Sequence, residues 1–265
     1  MKSYDFEYDS LRLSDFGFVI CMFDSSDIET ISNGSYITFN TVSVMNGSRH
    51  ELVSSVYEDY LTATLQICKN PCAENDTEEI TLEDMRNIMR WLNRKGFHKF
   101  KLLDEEYIDI YFEASFNVSK IEINGTIFGF ELEMFTNRPF GLMEPVTIFI
   151  DNDEENGLHT IISKSDEEGY IYPDMEITVL SDGDLEIYNE LEDRTMLISN
   201  CVANEIIKIN YPVITSSVSS HKIQNDFNWK FFRIATEFKN KHNNITVSLP
   251  CAIKMKYSPI VKVGI

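Results

Sequence analysis

Apolar and polar side chains alternate along most of this chain, and one segment breaks the alternation with a helical period. Strict alternation over several residues is the signature of a half-buried β-strand. In LTATLQICK, Leu61, Ala63, Leu65 and Ile67 share one face and Thr62, Thr64 and Gln66 the other. Phe100 and Leu102, then Ile108, Ile110 and Phe112, and later Phe128, Phe130, Leu132 and Met134 repeat the pattern. Asn124-Gly125 between two alternating runs predicts a tight hairpin. FGFVICMF, residues 16 to 23, is an apolar run suited to a buried strand. Ile37 and Phe39 alternate in one phase and Val42 and Val44 in the other, which predicts a bulge near Asn40. The exception is ITLEDMRNIMRWLNRKGF, where Leu82, Met85, Ile88, Met89 and Leu92 recur at spacings of three and four. Thr81 with Asp84 three residues on predicts a capped helix start, and Gly96 is placed to end it.

NRPFGLMEP, residues 137 to 145, gathers two prolines and a glycine and marks a boundary. We therefore expect domains at 1–141 and 142–265. The first is β-rich with one packed α-helix and a hairpin. The second reads as β throughout: Val146, Ile148 and Ile150, then Met175, Ile177 and Val179 leading through a tight Ser-Asp-Gly-Asp turn to Leu185 and Ile187. Ile207 to Tyr211, Phe232 and Ile234, Ile245 to Leu249 and Ile253 to Tyr257 follow. Short strands with turn signals about every ten residues describe a sandwich or jelly roll.

Composition narrows the function classes. The 265 residues carry a net charge of -20, which works against phosphate contacts and anionic membrane surfaces. Residues 144–193 hold sixteen acidic side chains and one basic, and residues 194–265 three acidic and ten basic. The five cysteines are scattered and read as reduced, small apolar residues. The start MKSYDFEYDS lacks the apolar stretch of a secretory signal, and there is no run of about eighteen apolar residues to span a bilayer.

Candidate chemistry is sparse. No nucleophile elbow, phosphate loop, zinc-protease helix or dinucleotide fingerprint is present. His50, His98, His159, His221 and His242 are far apart in sequence. DNDEENG, 151–157, has oxygen ligands at alternate positions, but its glycine falls one residue late for a calcium loop, so it reads as an acidic hairpin turn. Trp91 reads as core or interface packing. Trp229, in NDFNWKFF, is of the kind that stacks on a sugar ring or fills a subunit contact, and a core or edge role is the simpler reading. No enzyme, cofactor or metal site is expected.

One family resemblance emerges from these residues. RWLNRKGFHKFKLLDEEYIDIYFEAS, FGFELEMFTNRPFG and FGFVICMFDSSD resemble the N-terminal domain of the phage distal tail (Dit-type) proteins. GYIYPDMEITVLSDGDLEIYNELEDRTMLIS and KNKHNNITVSL resemble the family's galectin-like second domain, although Lys-His-Asn-Asn stands where a Pro-Gly-x-Asn turn is usual. The resemblance implies a mainly β protein: an N-terminal β-sandwich-like domain with one packed helix, then a galectin-like jelly-roll β-sandwich. It implies a virion structural protein at the distal end of the phage tail, made in the host cytoplasm, that forms a homo-hexameric ring hub. Its partners would be copies of itself, the tail tube protein, the tail-associated or tail-tip protein and receptor-binding components of host attachment, with DNA only as passing cargo and no membrane insertion. Arg86, Arg90, Trp91, Arg94 and Lys95, meeting Asp104, Glu105 and Glu106 of a neighbour, are the expected inter-subunit contacts. Lys99 and Lys101 belong to the same basic stretch. The alternative is a carbohydrate-binding, lectin-like module acting in host-surface recognition. A hydrolase using paired carboxylates is the third reading.

Overall fold

The computed structural model describes residues 4–23, 36–44, 49–57, 60–72 and 79–264. The chain is mainly β and divides into two compact units, Met1–Leu142 with Lys262–Ile265, and Met143–Val261. The last residues thus return to the first unit, which alternation alone does not foretell. Val263 packs against its core, and the Tyr107 hydroxyl donates to the Gly264 carbonyl at 3.1 Å.

The first unit is built on an antiparallel sheet. Its strands lie in the order Leu11–Arg12, Phe6–Tyr8, His98–Leu102, Ile110–Ile123, Thr126–Thr136, Thr62–Lys69 and Phe18–Cys21. The two longest strands are joined at Asn124-Gly125, both with positive φ (52° and 85°), as a two-residue hairpin requires. Phe6, Tyr8, Phe100, Phe112, Phe116, Leu132 and Met134 make the buried face.

The helix Leu82–Leu92 lies on this core through Ile88, Trp91 and Leu92, with Ile80 before it and Met85 half-buried. Leu82 and Met89, placed by periodicity on the apolar face, are exposed. The buried face is rotated toward Trp91 by roughly 60°, at about 100° per residue. The large indole decides the orientation, because it contributes more apolar area than either leucine or methionine. Gly96 is not the cap. Asn93 ends the helix, donating to the Met89 carbonyl, and Gly96 (φ 91°) makes the turn into His98–Leu102 instead.

The helix start follows the sequence closely. The Thr81 hydroxyl accepts from the Asp84 amide at 3.2 Å, and the Asp84 carboxylate accepts from the Thr81 amide at 2.9 Å. Lys69, from the neighbouring sheet, reaches the same carboxylate at 3.2 Å. Burial works against the Asp84 charge, but the Thr81 amide and hydroxyl and the Lys69 ammonium outweigh it and hold the carboxyl below its usual range. Thr81→Ala is expected to cost about 1 kcal/mol. Asp84→Ala removes the ion pair as well. The Asp84 contribution is complete above the ordinary aspartate pKa of about 3.9 and fades as pH falls below it. The gap in urea-unfolding stability between wild type and Asp84→Ala should therefore be wide at pH 7 and narrower at pH 3.

A separate hairpin, Ile37–Ser43 with His50–Tyr57, pairs only with itself among the described residues. Its register shifts between Asn40 and Thr41, where the change of phase predicts a bulge.

The second unit packs two antiparallel sheets face to face. One runs Val146–Asn152, Cys251–Tyr257, Asp174–Val179, Ile206–Asn210 and Val213–Ser216. The other runs Gly157–Ile162, His242–Val247, Gly183–Asn189 and Arg194–Cys201. Ile177, Val179, Leu185, Ile187, Ile207, Val247 and Ile253 fill the space between them. Two turns differ from expectation. Asp151–Gly157 and Ser181–Asp184 do not close hairpins; each carries the chain from one sheet to the other. Alternation reads the same whether a strand returns beside its predecessor or across the core, so periodicity does not separate the two cases.

Glu205 is the one carboxylate buried outright among the described residues. It accepts from the Val202 amide at 3.1 Å and from the Ser216 hydroxyl, and its Oε1 lies 2.6 Å from His221 Nδ1. The His221 ring is almost fully buried, and its Nε2 stands 3.5 Å from Asp226.

Candidate assembly surface

The residues that the sequence marks for subunit contact fall in three different settings. Arg86, Arg90 and Lys95 are exposed, on the solvent side of the helix and in the loop after it. Arg94 already has work within its own chain: its guanidinium lies 2.9 Å from Asp9 and 5.3 Å from the centre of the Tyr8 ring. Trp91 is only 5% exposed. It stacks on Phe16 at 4.4 Å and on Phe6 at 5.6 Å, and its indole N–H donates to the Tyr8 carbonyl at 2.9 Å. It is a core residue and leaves the contact set, because no surface remains on it for a neighbour to cover.

The acidic partners are better placed. Glu105 and Glu106 are exposed on the single turn Glu105–Tyr107, and Asp104 caps that turn by accepting from the Glu106 amide at 3.1 Å. Among the described residues no ion pair joins these acids to the helix cations within one chain. The Lys99 ammonium stands over the Tyr111 ring at 4.7 Å.

The surface that the sequence reading passed over is the hairpin. Ile37, Phe39, Val42, Leu52, Val53 and Val56 are all exposed, Phe39 by 61% and Val53 by 69%. A two-stranded hairpin is marginal in water by itself. Apolar side chains displayed together in this way mark an interaction surface. Its long edges also carry backbone N–H and C=O groups that another strand could pair. The signal was available: apolar residues on both phases of ITFNTV and ELVSSV suit a strand covered on both faces. Tyr57 at its base meets Phe140 edge-on at 5.1 Å, which fixes the root of the hairpin to the first unit.

The charged chemistry of the molecule offers little else. Among the described residues no group of three or more His, Cys, Asp and Glu is arranged to hold a metal ion, and no helix is long and apolar enough to cross a membrane.

Comparison with known proteins agrees with this architecture. A family model described as phage tail protein N-terminal domain matches residues 1–138, and one described as phage tail C-terminal domain matches residues 140–257. No curated protein matches the chain. Among solved structures, the Dit protein of phage SPP1 superposes with a TM-score of 0.64, covering 97% of this chain and 99% of its own. That protein is described as a paradigm of the hub adsorption apparatus in phages that infect Gram-positive hosts. The two share 9% sequence identity, so the likeness is one of fold. With both of its halves matched by models of phage tail domains, the chain belongs to the phage tail protein family that those two models define.

Proposed function

We propose that this tail protein is the structural subunit of a ring-shaped hub at the distal end of the tail, six copies to a ring as the Dit resemblance implies. The observation that carries the proposal is the exposed apolar hairpin Ile37–Ser43 and His50–Tyr57, which has no cover among the described residues and which a second copy of the chain would cover. A ring needs a head-to-tail contact between two different patches of the same subunit, and strand addition at a hairpin edge provides one. Residues 1–141 would form the ring and residues 142–265 a galectin-like domain. Arg86, Arg90 and Lys95 would add a charged rim to the contact, facing Glu105 and Glu106 of the next subunit. Such a hub would join the tail tube to the tail-tip protein and carry receptor-binding components. A net charge of -20 suits a channel through which DNA slides without adhering.

The test is the mass of the assembly. Phe39→Asp with Leu52→Asp should shift purified protein from ring to monomer in light scattering, with the far-UV circular dichroism unchanged. Arg86→Glu with Arg90→Glu should weaken the ring in a salt-dependent way. A hairpin variant that keeps the mass of wild type at every concentration would overturn the proposal.

A further inference from the structure

The second unit gathers aromatic rings from segments far apart in sequence. Tyr170 lies on the strand Gly169–Ile171, and Tyr172 follows it. Tyr211 sits in the turn between Ile206–Asn210 and Val213–Ser216. Trp229 lies between the short helix Ile223–Asp226 and the strand Ile234–Thr236. The rings form one connected network. Tyr172 and Tyr211 stack at 3.9 Å, 7° from parallel. Tyr170 meets Tyr172 edge-on at 5.5 Å. The buried Phe231 touches Tyr211 at 5.2 Å and Trp229 at 6.3 Å. Trp229 is 55% exposed, and Tyr211 and Tyr170 nearly as much. Trp229 is therefore no core residue; it stands exposed beside the edge strand Arg194–Cys201, to which Phe227 and Asn228 pair, as the edge reading has it.

Trp229 is also held in an unfavourable backbone state. Its φ of 57° is in the left-handed region, where a bulky side chain is a true outlier costing about 1–2 kcal/mol. Asn228 enforces it. The Asn228 amide donates to the Leu197 carbonyl at 3.1 Å and its carboxamide to the Thr195 carbonyl at 3.0 Å. The Asn228 side-chain oxygen in turn accepts from the Lys230 amide at 3.0 Å, so the chain is clamped on both sides of the tryptophan. Phe227 and Phe231 approach the indole at 51° and 72°, so neither ring is stacked on its faces. A bulky ring held exposed against its backbone preference is the kind of outlier that clusters at functional positions.

The edge of the patch supplies polarity. The Arg233 guanidinium lies 3.7 Å from the centre of the Tyr170 ring and pairs with both carboxylate oxygens of Glu192. The guanidinium also hydrogen-bonds the Tyr172 side chain, and both members of the pair are largely buried, so their polarity reaches the patch only at its rim. Flat rings beside a planar donor–acceptor pair match a sugar ring, whose C–H face stacks and whose hydroxyls point outward. A stacked nucleic-acid base would bring phosphates toward a chain of net charge -20, so an uncharged ligand fits better.

We propose that Trp229, Tyr211 and Tyr170, edged by Arg233 and Glu192, bind an uncharged oligosaccharide. The proposal does not depend on ring assembly. The test uses the full chain with cellohexaose, chitohexaose and maltohexaose as neutral probes and a hyaluronan octasaccharide as the charged one. Because Trp91 is buried, acrylamide quenching of tryptophan emission reports chiefly on Trp229, and a bound sugar should protect it. By calorimetry, Trp229→Ala and Tyr211→Ala should each weaken binding at least tenfold, and Trp229→Phe should retain most of it. Far-UV circular dichroism should be unchanged in all three. Silence toward every neutral sugar at millimolar concentration overturns the proposal, and so does unchanged affinity in the two alanine variants. Tighter binding of hyaluronan overturns the assignment to uncharged sugars. Quencher protection that appears only in assembled tails, with no response to sugar, overturns it in favour of a protein docking there.

Discussion

Trp91→Ala is expected to destabilise the first unit by about 3–5 kcal/mol, the range for truncating a buried large aromatic residue. The indole packs nearly parallel to Phe16 and Phe6, at 15° and 12°, and Tyr8 meets it edge-on. Alanine would leave a cavity where three rings converge. It would also leave the Tyr8 carbonyl without the indole N–H that it accepts at 2.9 Å. Trp91→Phe keeps the apolar body and loses only that donor and the second ring, so its cost should be nearer 1–2 kcal/mol. Urea unfolding followed by far-UV circular dichroism at pH 7 separates the two. Wild-type stability in Trp91→Ala would mean that the helix is not fastened to the sheet through this residue.

Glu205→Ala should be comparably damaging to the second unit, by about 3 kcal/mol, because it leaves buried hydrogen-bonding groups without the carboxylate they share. The variant would strand the Val202 amide and deprive the nearly buried His221 ring of its Nδ1 partner, while the Ser216 hydroxyl keeps its bonds to Val218. Burial alone would push the Glu205 carboxyl up. The hydrogen bonds from Ser216, His221 and Val202 and the charge of His221 prevail and hold it below its usual range. A carboxyl lowered on folding stabilises above its unfolded pKa of about 4.3 and loses that contribution as pH falls through the folded value. The Val202 amide, the Ser216 hydroxyl and His221 face Glu205, and Asp226 faces the other nitrogen of the His221 ring. The second unit of wild type should therefore weaken steeply with acid below about pH 4, and Glu205→Ala should show a flatter profile from a lower starting point. Equal acid slopes in the two proteins would remove Glu205 as the responsible group.

Much of this architecture could be read from the chain. The Thr81–Asp84 box, the Asn124-Gly125 hairpin, the bulge at Asn40 and the alternating strands of both halves are local features, and local features are written in neighbouring residues. What escaped is long-range. Whether Leu185 returns beside Val179 or across the core depends on packing that no short window contains. The exposure of Leu82 and the burial of Trp91 depend on where the sheet lies beneath the helix. An eleven-residue helix offers several overlapping apolar stripes, and tertiary contact chooses among them. The exposed hairpin was missed for a related reason: apolar residues are read by default as core, and only coordinates show which of them face water. Trp229, by contrast, is open from the sequence to either a surface or a packing role.

The return of residues 262–264 to the first unit has a consequence for how the chain is made. During translation the first 142 residues leave the ribosome without the segment that places Val263 against their core and Gly264 beside Tyr107. The whole of Met143–Val261 must be synthesised before that segment appears. Because domains fold as they emerge, at about 5–20 residues per second, the first unit spends several seconds unsealed while its successor is still being made. Final closure of the earlier unit then waits on completion of the later one, so a transcript truncated within the second half would also deprive the first of its last stitch.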